Sequence, residues 1–132
     1  MSARGSALAL LSIAAFVACG ADQPPTVCTA LFAYVTLKVN DSNGLPVSGL
    51  SISDTVRRTG QGFSVPQSLG LAPGTYVVFD DNSTSRVRSG GDSVRVAGTK
   101  GTTGFVADFF FDVPGGCHVR KVVGPDSVTA LP

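Results

Sequence analysis

Hydrophobic and polar residues alternate along several short stretches of the chain. In YVTLKVN the apolar residues Val35, Leu37 and Val39 alternate with other residue types, and GLSISDTV repeats the pattern. A period of two is typical of a strand with one buried face. Because an Asn-Gly turn signal lies between the two stretches, we predict a hairpin of residues 32–40 with residues 50–57.

Later apolar runs, separated by turns that contain Gly or Pro, predict more strands of the same kind. All nine acidic residues are aspartate and glutamate is absent, so strong helix formers are scarce, while Val, Thr, Ser and Gly are abundant. The additional strands are predicted at residues 62–65, 75–80, 93–97, 103–113, 117–123 and 127–131. We therefore predict an all-β fold, a single antiparallel β-sandwich of about seven strands.

The start of the chain has the composition of an export signal. Arg4 supplies a positive charge, and the apolar run ALALLSIAAFVA has the length of a signal peptide and not of a membrane span. The next stretch, FVAC, resembles the lipobox of bacterial lipoproteins, in which the cysteine, here Cys19, becomes lipidated. The resemblance implies a signal peptide at residues 1–18, a proline-containing tether at 19–27 and a folded domain at 28–132. The alternative is an ordinary secretory signal that leaves Cys19 as a free or paired thiol.

Lipidation of Cys19 predicts an exported protein that is held at a membrane by a covalent lipid, with no other cofactor. By resemblance to lipoprotein sorting rules, Gly20 after the cysteine lacks the aspartate that would retain the protein in an inner membrane. The outer membrane is therefore favoured if the organism has two membranes.

The chain has three cysteines, and lipidation of one of them leaves an even number. Cys28 lies before the first predicted strand, and Cys117 begins a late one. In an exported protein we predict a disulfide between them. Such a bridge would stabilise the fold by roughly 4–5 kcal/mol on the chain-entropy model, because the loop it closes is long.

The stretch LAPGTYVVFDD places a Pro-Gly turn and Thr-Tyr at the start of a strand. This arrangement recurs in sandwiches of the immunoglobulin class, where the tyrosine hydroxyl bonds to the backbone across a corner. Tyr76 is the candidate for this structural tyrosine corner. The alternative is that Tyr76 is simply a half-buried aromatic residue of a strand.

Three stretches carry a family resemblance. VTLKVNDSNGLPVSGLSIS is similar to the opening hairpin of carboxypeptidase regulatory-like domains, and LAPGTYVV is similar to their later Leu-x-Pro-Gly-x-Tyr strand. The closing GGCHVRKVVGP resembles the last strand of small bacterial lipoproteins that carry this domain and pair an early cysteine with a late Cys-His-Val. The resemblance implies a prealbumin-like or immunoglobulin-like sandwich with a non-catalytic role.

The net charge and the residues available for catalysis exclude several classes of function. Without Arg4, nine basic residues balance nine acidic ones, so no charge imbalance points to nucleic acid. His118 is the only histidine, and on a predicted strand its side chain and that of Cys117 would point to opposite faces. No nucleophile elbow, phosphate-binding loop or paired metal-ligand motif occurs in the sequence. We therefore predict that the protein is not an enzyme and holds no metal.

Two polar stretches leave a choice open. Asp80, Asp81 and Asn82 could offer oxygen ligands to a calcium ion, or they could form a turn through bonds to their own backbone. The stretch RVRSGGDSVRV could attract an anionic surface, or it could be a solvated hairpin whose arginines alternate with buried valines.

The strand GFVADFFFDV has more apolar surface than one core face needs. Alternation sends Phe110 outward between Asp108 and Asp112, so these three residues form a candidate binding surface unless another segment covers the ring. We predict a lipid-anchored, non-catalytic interaction or structural module of the cell envelope with an unknown protein or glycan partner. The alternatives are a secreted or surface binding module for carbohydrate or peptide, with Phe110 and Tyr34 on one surface, and an accessory subunit of an envelope enzyme or transport complex.

Overall fold

The computed structural model describes residues 27–132, which form two β-sheets packed face to face. The three-stranded sheet has the order β4-β1-β8, and the five-stranded sheet has the order β3-β2-β5-β6-β7. The strands are β1 (Tyr34–Asn40), β2 (Ser51–Val56), β3 (Gln61–Phe63), β4 (Thr75–Asp80), β5 (Asp92–Lys100), β6 (Thr103–Asp112), β7 (Arg120–Val123) and β8 (Ser127–Thr129). The predicted all-β sandwich is confirmed; β1 and β8 form the one parallel pair among the described strands.

The core lies between the sheets and is built from alternate residues of each strand. In β6 the burial alternates as the sequence pattern predicts, with Phe105, Ala107, Phe109 and Phe111 buried. The rings of Phe109 and Phe111 stack at 5.4 Å, and Phe111 stacks on Phe79 of the opposite sheet at 4.6 Å. Offset stacking of this kind adds to the stabilisation from buried apolar area.

The predicted hairpin of residues 32–40 with residues 50–57 is wrong, because β1 and β2 belong to different sheets. The chain does turn at Asn43 and Gly44, but the return segment pairs with β1 only briefly, through a bridge from Asn40 to Pro46. Proline has no amide hydrogen to donate, so it cannot extend a ladder. The chain then crosses to the other sheet, where the apolar residues of β2 face the same core from the opposite side.

Tyr76 holds this crossing in place. Its hydroxyl donates to the Val47 carbonyl oxygen at 2.7 Å and accepts from the Leu50 amide at 3.1 Å. The ring belongs to β4 of the small sheet and is buried. These are the backbone bonds across a corner that the Pro-Gly-Thr-Tyr stretch predicts, and the corner is the one that leads from β1 to β2.

Two other strand predictions need correction. The strand predicted at residues 117–123 begins only at Arg120, because Pro114–Gly116 form a short 3-10 helix, η2, and residues 117–119 continue as a turn. Cys117 and His118 therefore do not have the alternating orientation of strand residues. A second 3-10 helix, η1 (Asp81–Arg86), follows β4. The RVRSGGDSVRV stretch begins at its last residue, Arg86, and runs through a turn into β5, so it is not a hairpin.

Strand register defines two ends of the sandwich. At the disulfide end lie the start of β1 and the final residues of β2, β4 and β6, together with Cys28 and Cys117. At the opposite end, which we call the groove end, lie the final residues of β1 and β5 and the first residues of β6. The described chain begins at residue 27, beside the disulfide. The predicted signal peptide and Cys19 lie outside the described residues.

Candidate functional site

The disulfide end brings together the chemistry-bearing residues of distant parts of the chain. Cys28 and Cys117 are bonded, with their Cα atoms 5.2 Å apart and a sequence separation of 89. The bond joins the segment before β1 to the turn after β6. Because both segments are otherwise without strand partners at this point, the disulfide fixes the position of the residues that flank it.

The flanking residues form a hydrogen-bonded chain across the disulfide end. Asp81 Oδ2 lies 2.6 Å from Nδ1 of His118, and Nε2 of His118 lies 2.8 Å from Oγ1 of Thr29. Asp81 also accepts the amide of Ala33 at 2.8 Å and the amide of Val119 at 2.9 Å. With Nδ1 donating to the carboxylate, a neutral His118 accepts the hydroxyl hydrogen of Thr29 at Nε2.

The arrangement of Asp81, His118 and Thr29 orders a carboxylate, an imidazole and a hydroxyl as in a nucleophilic triad. It also joins the start of η1 to both segments that the disulfide connects. Burial opposes ionisation of Asp81, but the bonds from the Ala33 amide, His118 and the Val119 amide outweigh it and lower the pKa of this carboxyl. An ionised Asp81 therefore holds the N-terminal segment and the His118 turn together.

A buried carboxylate, Asp92, begins β5 at the same end. Arg58 donates two hydrogen bonds to it, from Nε to Oδ1 at 2.7 Å and from Nη2 to Oδ2 at 2.8 Å. The Arg88 amide donates to Oδ2 at 3.0 Å. The Arg58 hydrogen bonds, which outweigh the cost of burial, lower the pKa of Asp92 to about 2. The Asp92 side chain is 1% exposed, whereas those of Arg58 and Arg88 are 42% and 64% exposed.

The predicted binding surface lies on the outer face of the five-stranded sheet, but its groups have partners. Asp108 contacts the guanidinium groups of Arg57 and Arg95, and Asp112 is bonded by Arg120. Phe110, between the two acids, is half-buried because its ring covers Gly91. A Cβ atom at Gly91 would lie 2.3 Å from that ring, so only glycine fits there. Tyr34 belongs to the other sheet, so the two aromatic rings do not form one surface.

The interior contains one carboxylate that no sequence argument singled out. Asp54, on β2, is fully buried between Ile52 and Val56 on the inward face, and neither carboxylate oxygen has a hydrogen-bond partner. Burial raises its pKa to about 7. Its place at an inward position of the alternating stretch was the available signal. The Asp81–His118 contact had no such signal, because it joins residues far apart in the sequence.

An open groove of about 670 Å³ lies at the groove end, between the outer face of β5 and β6 and the C-terminal residues. Most of its lining is apolar and includes Ala97, Val106 and Leu131. Val106 and Leu131 are 63% and 59% exposed. The C-terminal segment is held here by a pair of backbone bonds between Gly104 and Leu131.

The Asp80–Asn82 stretch does not converge on a common point. Asp80 accepts the hydroxyl hydrogen of Ser83 at 2.8 Å, whereas Asp81 is directed at His118. Within residues 27–132 no group of three or more His, Cys, Asp or Glu side chains is arranged to hold a metal ion. In the same residues no helix has the length and apolar character needed to span a membrane. No protein-family model, curated protein or solved structure matches the chain.

Proposed function

We propose that the protein is an exported, lipid-anchored module of the cell envelope that acts through contacts with other molecules and not by catalysis. The observation that carries this proposal is the Cys28–Cys117 disulfide at the end of the sandwich where the described chain begins. Disulfides form and persist in oxidising compartments. Eight residues separate Cys28 from Cys19, the cysteine of the lipobox-like stretch, so the tether would join the domain beside the disulfide.

A relation to carboxypeptidase regulatory-like domains remains part of this proposal. The two-sheet sandwich and the Tyr76 corner support it. The opening segment departs from it, because the resemblance implies a β1–β2 hairpin and these strands lie in different sheets.

The proposal gives the domain an orientation at the membrane. With the tether at the disulfide end, the groove end would point away from the membrane toward the compartment. The groove beside Val106 and Leu131 is the observation that favours a second candidate function, a binding module for peptide or carbohydrate. An extended peptide is the better fit to a shallow, mainly apolar groove that runs beside a strand.

The anchor is tested by metabolic labelling with a radioactive or clickable palmitate in a bacterial host. The wild-type chain should incorporate the label, and Cys19→Ala should not. Cys28→Ala with Cys117→Ala serves as the matched control, because it removes cysteines without touching the lipobox and should keep the label. Absence of label from the wild type, or equal label in Cys19→Ala, would contradict the proposal.

The second candidate is tested separately by photo-crosslinking from position 106 on intact cells. A discrete crosslinked protein or glycan adduct from Val106, with no adduct from Val123, an equally exposed valine on β7 outside the groove, would support binding at the groove. Equal, diffuse crosslinking from both positions would count against the groove and leave the anchor proposal unaffected.

A further inference from the structure

Positive and negative charges are distributed unequally at the disulfide end. The carboxylates of Asp92 and Asp112 have side chains 1% and 15% exposed, whereas the arginines that bind them, Arg88 and Arg120, are both 64% exposed. The two carboxylates are therefore largely covered, whereas the guanidinium groups that bind them are exposed to solvent. A surface of this kind presents positive charge to its surroundings even though the whole chain is close to neutral.

The excess is largest around the loop that joins η1 to β5. Two arginines, Arg58 and Arg88, share the single carboxylate of Asp92, so that group keeps one net positive charge. Arg86, the last residue of η1, has its guanidinium 5.8 Å from the centre of the Phe63 ring. The ring face supports a cation without neutralising it. Against the one carboxylate of Asp92 the three arginines leave two positive charges, while the other acids beside η1, Asp80 and Asp81, are directed at Ser83 and His118.

This surface lies on the same end of the sandwich as the start of the described chain. Asp92, which two of the arginines bind, pairs with Phe111 near the end of β6, and Cys117 follows β6. Eight extended residues between Cys19 and Cys28 span at most roughly 28 Å. A domain held by a lipid on Cys19 would therefore keep its disulfide end close to the lipid headgroups.

We propose that Arg58, Arg86 and Arg88 dock the disulfide end on the anionic phospholipid headgroups of the membrane that holds the anchor. The proposal rests on the proposed lipid anchor and adds a second, electrostatic contact to it. Guanidinium groups bind phosphate oxygens with two parallel hydrogen bonds, which suits exposed arginines to this partner. A tether limits how far the disulfide end can lie from the membrane but not the tilt of the domain, so a charged surface at this end would fix that tilt.

The test uses the mature chain purified from membranes and mixed with two kinds of vesicle, one of phosphatidylcholine alone and one of phosphatidylcholine with phosphatidylglycerol. Phenylglyoxal labelling of each arginine is then measured by peptide mass spectrometry. We expect Arg58, Arg86 and Arg88 to be protected on the anionic vesicles only, and high salt to abolish the protection. Arg95, on the outer face of the five-stranded sheet, is the internal reference and should react equally in both.

Variants sharpen the result. Arg86→Gln and Arg88→Gln should each weaken the docking equilibrium about fivefold, which is the typical effect of one basic residue at an anionic membrane surface. Lys100→Gln at the groove end is the matched control and should leave it unchanged. Thermal melts of all three variants check that the fold is intact.

The outcomes separate this proposal from the anchor itself. Binding to both kinds of vesicle with equal labelling of the three arginines would overturn the docking and leave the anchor standing. Binding to anionic vesicles alone would support the docking and contradict the anchor, and binding to neither would contradict both. Equal protection by inorganic phosphate without vesicles would mean a site for small anions and would overturn docking on a surface.

Discussion

Two regions of the molecule bury an aspartate, and they do so in opposite ways. At the disulfide end, Asp92 is surrounded by donors from Arg58 and Arg88, and its pKa is lowered to about 2. On the inward face of β2, Asp54 has no hydrogen-bond partner, and its pKa is raised to about 7. Burial is nearly complete in both cases, so the donors and not the burial decide the sign of the shift.

The difference predicts how stability depends on pH. A carboxyl with a lowered folded-state pKa stabilises the fold above its unfolded pKa of 3.8, and that stabilisation is lost as the pH falls toward 2. A carboxyl with a raised pKa acts in the other direction. Between pH 3.8 and 7 the folded state keeps the Asp54 proton that the unfolded state releases, so stability decreases as the pH rises. Together, the carboxyls of Asp92 and Asp54 place the maximum of stability at about pH 4.

The largest effect on stability is expected from removal of the Cys28–Cys117 disulfide, which lies at the same end of the sandwich as the bonded carboxylates. Replacing Cys28 and Cys117 by serine should lower the free energy of unfolding by roughly 4–5 kcal/mol, because the unfolded chain regains the entropy of a long loop. Urea unfolding followed by circular dichroism measures the change. Equal midpoints for the variant and the wild type would show that the bridge contributes nothing to stability.

The core region is tested through its pH dependence. The free energy of unfolding should fall by about 4 kcal/mol between pH 4 and pH 8 because of Asp54 alone. Asp54→Asn has the same shape and cannot ionise, so its curve should be flat over that interval. Urea titrations at a series of pH values provide the measurement, with Asp108→Asn, an exposed acid, as the matched control that keeps the wild-type slope. A wild-type curve without this slope would contradict the account of Asp54.

The hydrogen-bonded carboxylate at the disulfide end is tested by the substitution of Asp92 by asparagine. Asp92→Asn removes the charge that Arg58 grips, and we expect a loss of about 1–3 kcal/mol at pH 7, which is typical of hydrogen bonds to a charged group. The variant should also lose part of the stability decrease that the wild type shows between pH 4 and pH 2. Unchanged acid unfolding in Asp92→Asn would mean that other groups control this limb.

The smallest effect is expected where a buried polar group is neutral and fully bonded. Tyr76→Phe leaves the Val47 carbonyl and the Leu50 amide without their hydroxyl partner, at a cost of about 0.5–1.5 kcal/mol. Thermal unfolding measures it, with Tyr34→Phe, an exposed hydroxyl, as the control. If both variants melt with the wild type, Tyr76 is only a packed aromatic residue.

The sequence predicted which face of each strand is buried but not which strands pair with each other. Alternation identified the inward residues of β6, because side chains on a strand point to opposite faces wherever the strand lies. Alternation could not show that β1 and β2 lie in different sheets. Whether the two strands pair in one sheet or face each other across the core, the same residues are buried. The Asn43-Gly44 turn indicated a reversal of the chain, and the reversal occurs, but Pro46 ends the pairing that would have made a hairpin.

The candidate site was predictable only where chemistry restricts the partner. The oxidation of Cys28 with Cys117 follows from the small number of cysteines once Cys19 is set aside. In contacts such as Asp81 with His118 or Arg58 with Asp92, each residue has many other charged residues in the sequence that could have been its partner. Their pairing depends on how the loops meet at one end of the sandwich, which local sequence patterns do not encode.

One measurement tests both the lipid anchor at Cys19 and the Cys28–Cys117 bridge beside it. The intact mass of the protein extracted from membranes, before and after reduction, should correspond to a chain that begins at Cys19 and carries acyl groups. Reduction should add only the hydrogens of one disulfide. An unmodified chain without acyl groups would contradict the anchor and make a secreted binding protein the leading function, and a mass unchanged by reduction would contradict the Cys28–Cys117 bridge.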